Sequence, residues 1–515
     1  MIQLRPYQQD AVDEILSAFQ KGSKHVLLCA PTGSGKTVMF SHIAYNAALK
    51  NKKVLILTDR EELLMQSGSS IQRTGINPYY IQAGCKYVNN KYNVFIAMSQ
   101  TLRNRVKLKY WIDFINSVDL VIIDEAHKQE FNYIFESGLI DNKFVIGFTA
   151  TPRRSGKQRQ LALDYNVIID TVSVRELVDM GYLVMDDYFG CDAPDMTGVG
   201  IDSKSGDFKE GAMFEKFNNA KLYGGVVRNF EKICKDTQTI VFCVNIEHSI
   251  KTAIEFKEAG FNVRFVTSEP SFPKLKDNPQ PCDITRYNER MRVYELYHSV
   301  YLELSGDRSE LFSRFAKREF QILVNAGIAT TGYDCPAIET VIVNRATMST
   351  TLWLQMLGRG SRINESKTHF NILDFGGNAE RLGHYTDVRL WALWHDEGGN
   401  GEGLPPIKEC EQCKRPILAA YKICPFCGFK YPDKTIKEID LSSVFFDLEK
   451  KVFEKVQPIS TMSDDELHEY ARRKGHKQAW LWRQLHHRGT LKDFATKHRW
   501  TSKTIMAAEN FCNKL

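Results

Sequence analysis

LVIIDEAHKQE, residues 120–130, sets four apolar residues ahead of two adjacent carboxylates and a histidine. Residues 120–123 read as a strand covered on both faces. Asp124 and Glu125 then emerge at its carboxyl end, where open α/β sheets bind ligands. Core packing alone gains nothing from charge there, so the stretch predicts a ligand that needs two carboxylates.

The surrounding chain repeats the rhythm. Short apolar runs begin at residues 26 (VLLCA), 54 (VLILT), 94 (VFIAM) and 144 (FVIGF), separated by helical patterns. Up to about residue 182 this is a doubly wound parallel sheet. After a Gly- and Asp-rich stretch at 191–225 the rhythm resumes at 239 (TIVFCV), 262 (NVRFV), 321 (QILVN), 340 (TVIVN) and 370 (FNIL). The fold class is therefore α/β, with two tandem parallel sheets over 1–182 and 183–397. Residues 268–305 are too long for a simple connection and read as an insertion in the second. Composition shifts after GGNGEGLPP, 398–406, marking a linker to a small module at 405–432 and a helical region at 440–515.

With 43% hydrophobic and 25% charged residues over 515 positions, the composition is that of an ordinary globular protein too long for one core. There is no apolar run long enough to span a membrane and no signal-peptide pattern at the N-terminus, so a cytoplasmic protein without a membrane partner is expected. The formal charge of +6 is mild. Four of the twelve cysteines cluster at 410–427, which favours a reducing compartment and one metal site over disulfides.

The first strand runs into APTGSGKT, residues 30–37, a glycine-rich turn in which Pro31-Thr32 replaces the first glycine of G-x-x-x-x-G-K-[ST]. Backbone N–H groups at Gly33, Ser34, Gly35 and Lys36 would cradle a β-phosphate at a helix N-terminus. Lys36 would meet the β- and γ-phosphates and Thr37 would ligate Mg²⁺. Asp124 would also hold Mg²⁺, and Glu125 would deprotonate the attacking water. His127 is expected to sense the γ-phosphate and to bond toward the second domain.

On these motifs the chain resembles superfamily 2 helicases over about residues 3–376, which implies two RecA-like domains, ATP as substrate and a nucleic-acid track. LRPYQ, 4–8, looks like that family's adenine-reading element, implying base contacts from Arg5 and Gln8. TDREEL (58–63) and AMSQTL (97–102) stand where the family contacts a strand, implying roles for Arg60, Gln100 and Thr101. TAT, 149–151, follows the DEAH box as in the family and implies coupling through hydroxyls. In the second sheet, VNAGIATTGYDCPAIETVI from 324 implies that Thr331, Gly332 and Asp334 touch the strand and the nucleotide cleft. QMLGRGSR, 355–362, fits Q-x-x-G-R-x-x-R, implying that Gln355 joins the site while Arg359 and Arg362 reach the γ-phosphate. Taken alone, those arginines would read as a solvated helix face.

Cys410, Cys413, Cys424 and Cys427 form C-x₂-C-x₁₀-C-x₂-C, a tetrahedral thiolate set suited to Zn²⁺. Residues 471–503 hold ten Lys/Arg against one acid, with tryptophans interleaved. Arg472, Arg473, Lys477, Trp480 and Arg483 are candidate phosphate and base contacts, the alternative being a helical bundle with tryptophans inside. The order of motor domains, cysteine module and final helices is similar to RadD-like bacterial and phage helicases. That resemblance implies single-stranded, forked or branched DNA as partner, a place in repair or recombination, and contact with single-strand-binding protein; an oligomer is not required. A duplex translocase, an RNA helicase and an ATP-gated binding module are the alternatives.

Overall fold

The computed structural model describes residues 3–512 except 155–158, 191–195, 197, 203–204, 219, 268–280, 331, 366, 388, 390, 394–406, 410–415, 419–447, 452–462, 474–480, 483–484, 486–487 and 499. Thr331, Lys477, Trp480, Arg483 and the four clustered cysteines fall outside the described residues, as do the side chains of Arg472 and Arg473.

The first lobe is a seven-stranded sheet in the order β3-β4-β2-β5-β6-β1-β7. Its strands are β1 (His25–Cys29), β2 (Val54–Thr58), β3 (Tyr79–Ile81), β4 (Val94–Met98), β5 (Leu120–Asp124), β6 (Phe144–Thr149) and β7 (Val167–Asp170). Every pairing is parallel. Along β5, Leu120 and Ile122 enter the core on one face while Val121 and Ile123 enter the other, because successive side chains alternate across a strand. Burial of each such side chain stabilises by about 1.5–3 kcal/mol. The first five helices are α1 (Pro6–Gln20), α2 (Lys36–Leu49), α3 (Glu61–Gln72), α4 (Ser99–Arg103) and α5 (Lys109–Asn116). Since all strands run alike, the turns after β1, β3, β4 and β5 share one rim of the sheet.

The helix Val174–Asp179 closes the lobe, started by a capping box between Ser173 and Glu176. The chain then enters β8 (Met185–Gly190), which joins β9 (Thr239–Cys243), β10 (Val263–Val266), β11 (Ile322–Asn325), β12 (Thr340–Asn344) and β13 (His369–Asp374) in the order β10-β11-β9-β12-β13-β8. Part of the segment expected as an insertion is core: Tyr301 and Leu304 of the helix His298–Leu304 are buried under this sheet.

One boundary needs correcting. Residues 440–515 were expected as a single terminal region, yet Glu449–Lys450 pairs antiparallel with β8, and Leu448 is buried in the second lobe with its N–H donated to Asn229. Chain order hid this return because the pairing partner lies some 260 residues upstream. The second compact unit is residues 403–438 with 453–515. It holds a hairpin, Ile407–Glu409 against Pro416–Leu418, and the helices Asp464–Arg473, Leu491–Lys497 and Ser502–Cys512. Leu467, Leu485, Leu491, Phe494 and Ala508 are buried there. Trp482 and Trp500 lie edge to face, and Phe494 packs on Trp500. Basic residues of this region are paired: Arg488 with Asp464, Lys497 and His498 with Asp465, Lys492 with Glu509. The described part thus has the bundle arrangement, with acids just outside 471–503 supplying the counter-charge.

Candidate nucleotide site between the two lobes

β1 delivers the chain to a turn in which Gly33 and Gly35 take φ of +87° and +82°, the left-handed region that glycine enters without a Cβ clash. Gly35 is the N-cap of α2, whose first N–H groups have no intrahelical acceptor. Lys36 folds back to donate to the carbonyls of Ala30 (3.1 Å) and Pro31 (3.3 Å).

Gln8 departs from expectation. Its amide donates to the Ser34 carbonyl at 2.8 Å and its carbonyl accepts from the Arg5 N–H at 3.0 Å, so this buried side chain braces the cradle instead of presenting both groups to a base edge. Tyr7 braces it too, its hydroxyl donating to the same Ser34 carbonyl at 2.7 Å. The Arg5 guanidinium lies 3.9 Å over the Tyr182 ring. Sequence reasoning overlooked Tyr7 and Tyr182, which look like ordinary core tyrosines.

At the end of β5, Asp124 accepts the Glu125 N–H at 3.0 Å, and Glu125 sits at φ +51°, a costly conformation for a residue with a side chain. Burial, then the neighbouring Glu125 charge, pushes the Asp124 carboxyl up to about 7. Glu125 moves the other way: burial opposes its charge, but His127, Lys36, Lys128 and Arg359 together hold its carboxyl below the usual range. Its Oε2 is buried without a hydrogen-bond partner. Deep burial drives His127 down to about 4, against the pull of the Glu125 charge. The Thr149 hydroxyl gives its proton to the Thr151 carbonyl, which leaves His127 Nδ1 as the donor in their 2.9 Å contact. That partner belongs to the first lobe, and no described hydrogen bond joins His127 to the second. The contact ties the DEAH turn to TAT.

Two further clamps escaped sequence reading because their partners are distant in the chain. Arg154 donates to the His127 carbonyl at 2.9 Å and pairs with buried Asp164 at 2.8 Å. Lys128 pairs with Asp59 at 2.5 Å. Arg60, expected on a strand, lies by Asp59 and donates to the Ile328 carbonyl of the second lobe at 3.5 Å. Gln100 is exposed and Thr101 half-buried at the start of α4.

The second lobe meets this rim directly. The helix Thr350–Leu357 ends at Gly358, where an added Cβ would stand 2.8 Å from Thr32. Leu183 covers Gly33 in the same sense, at 2.7 Å from a built Cβ, and Gly332 faces Glu62 and Leu63. Arg359 is buried and donates to the carbonyls of Thr330 (2.9 Å) and Tyr333 and, at 3.4 Å, Gln355. Burial pushes it down to about 10, against the pull of Glu125, so it stays charged and acts electrostatically on Glu125 across the junction. Arg362, expected with Arg359 on the γ-phosphate, is ion-paired with Asp334, itself expected at the nucleotide. Gln355 Nε2 and Ser34 Oγ are buried without hydrogen-bond partners.

Residues 1–154 match the family "Type III restriction enzyme, res subunit", and residues 225–364 match "Helicase conserved C-terminal domain". The two lobes form a superfamily 2 helicase core. The chain is 30% identical to the "Putative ATP-dependent helicase IRC3" of Saccharomyces cerevisiae over 76% of its own length and 54% of that protein. It is 24% identical to the "Type I restriction enzyme EcoKI endonuclease subunit" of Escherichia coli over 72% of its length and 34% of that protein. It therefore spans little more than half of one relative and a third of the other. In fold it is similar to a fragment of a type I restriction HsdR subunit from Vibrio vulnificus, with a TM-score of 0.51 at 22% identity, covering 74% of this chain and 65% of that one.

Proposed function

We propose that this protein is an ATP-driven DNA motor of the superfamily 2 helicase type. The observation that carries the reading is the junction itself: a phosphate cradle and a carboxylate pair on one lobe, faced by buried, charged Arg359 from the other. In this reading Lys36 leaves its carbonyl partners for the β- and γ-phosphates, Glu125 takes a proton from the attacking water, and Arg359 offsets charge developing on the γ-phosphate. The fit for Mg²⁺ rests on Asp124, a buried carboxyl whose raised pKa marks missing counter-charge, with Thr37 at the start of α2. Bound there, the ion would neutralise β- and γ-phosphate oxygens. Loss of the γ-phosphate removes what both lobes grip, and the cleft opens.

The test compares ATP turnover with single-stranded, duplex and forked DNA and with RNA. DNA should stimulate most, and Glu125→Gln should bind ATP and DNA while losing roughly 10²- to 10⁴-fold in turnover. Wild-type turnover in that variant would remove Glu125 from the mechanism. The likeness to restriction subunits favours one second reading, a duplex translocase, recognised by ATPase stimulated by duplex without strand separation.

Several finer assignments are proposals of the same reading. Cys410, Cys413, Cys424 and Cys427 bind Zn²⁺; Cys424→Ser should lower zinc content, and unchanged stoichiometry would refute the set. Action on forked or branched DNA in repair or recombination, and contact with single-strand-binding protein, draw on the RadD-like order of segments. The free thiols of Cys29, Cys85, Cys234, Cys243 and Cys335 accord with a reducing compartment such as the cytoplasm. Among the described residues no helix is long and apolar enough to cross a membrane.

A further inference from the structure

Residues 63–112 contain seven Lys/Arg and no Asp or Glu, although the whole chain carries only +6. The structure gathers most of that charge in one place. The loop between β3 and β4 carries Lys86 and Lys91; Arg103 ends α4, Arg105 and Lys107 lie in the segment that follows, and Lys109 begins α5. The Tyr110 hydroxyl holds the two segments together, accepting the Val88 N–H at 2.9 Å and donating to the Val88 carbonyl at 3.1 Å. Tyr87 stands edge-on to Tyr110 at 5.4 Å and remains 70% exposed. Arg105 is held 4.8 Å over the Trp111 ring.

An ordinary solvated surface interleaves both signs, and its lysines find acids. Here Lys86, Lys91, Arg103, Lys107 and Lys109 are exposed, and no described ion pair reaches them; the nearest acid in sequence is exposed Asp113 of α5. Position adds a second argument. The loop leaves the carboxyl end of β3 and α4 leaves the carboxyl end of β4, so Lys86 and the stretch from Arg103 to Lys109 follow the rim that carries the cradle after β1 and the carboxylates after β5, while Lys91 lies where the loop returns to the amino end of β4. The patch begins beside Gln100 and Thr101 and runs outward to the sheet edge.

We infer that this patch is an additional single-strand contact, in which Lys86, Lys91, Lys107 and Lys109 neutralise phosphates and Tyr87 stacks an unpaired base. The inference rests on the motor reading and extends its track beyond the cleft. Spaced cations on a rim follow a phosphate backbone, and an exposed ring beside them offers a π-face that any base can use.

The test measures the salt dependence of binding to a 30-nucleotide single strand by wild type, a Lys86/Lys91/Lys107/Lys109→Ala variant and Tyr87→Ala. The lysine variant should keep wild-type nucleotide affinity and melting temperature, because the four side chains are exposed and away from the cradle. Its slope of log K against log salt should fall by about 3, each lost phosphate contact removing about 0.7 on a single strand. Tyr87→Ala should weaken single-strand binding about tenfold and blunt duplex binding little. An unchanged slope in the lysine variant overturns the patch while leaving the motor standing. Equal weakening on strand and duplex by Tyr87→Ala overturns base stacking. Wild type that binds no strand sinks both readings.

Discussion

The two lobes bring opposite kinds of surface to the junction proposed to hold a triphosphate. On the first, Asp124 and Glu125 are buried: burial pushes the Asp124 carboxyl up to about 7, and Glu125 Oε2 has no hydrogen-bond partner. On the second, the arginines are already engaged, Arg359 by three backbone carbonyls and Arg362 by Asp334. On the first side only Lys36 must leave its carbonyls; on the second both arginines must let go of a partner. Binding therefore draws mainly on the first lobe, and the second governs how binding becomes closure.

The strongest way to break this contrast is Arg359→Ala. It should slow hydrolysis on the order of 10³- to 10⁵-fold while nucleotide still binds the first lobe; nucleotide affinity lost in proportion to turnover would show that both lobes bind alike. A smaller effect tests the first lobe's charge. Asp124 holds its proton more tightly folded than unfolded, so folding stability falls as pH rises from about 4 through about 7. Asp124→Asn should therefore raise the melting temperature at pH 8 and leave it near wild type at pH 4. The reverse order would mean the carboxylate is ionised and satisfied where it lies. The smallest effect sharpens the picture of the second lobe. Asp334 is half-exposed, so its pair with Arg362 is worth about 0–1 kcal/mol, and Asp334→Asn should improve KM for ATP by at most about fivefold. A large rise in KM would instead make Asp334 a nucleotide contact.

What could be read from the sequence followed contiguity. The turn at 30–37 and the strand end at 120–125 each carry their chemistry within a few residues, and the alternation across both faces of β5 follows from its apolar run. What escaped depends on partners far apart. Nothing around Arg154 announces Asp164 as its buried mate, and a basic run there looks like solvated surface. Gln8 fits a base-reading pattern, but only the fold shows Ser34 occupying its amide. Arg362 and Asp334 belong to two motifs that each look poised for nucleotide, and folding spends them on one another. The pairing of Glu449–Lys450 with β8 offers no local clue at all.

The connection between the lobes carries one last consequence. Leu183 lies on Gly33, pairs with Arg362 as an isolated bridge, and is followed by Val184, whose N–H bonds the Ser361 carbonyl at 2.8 Å. The hinge is thus not a slack string but a gasket pressed against the cradle and stitched to Ser361 and Arg362. Any swing of the lobes must peel it off, so the size of residue 183 should set how readily the two lobes part.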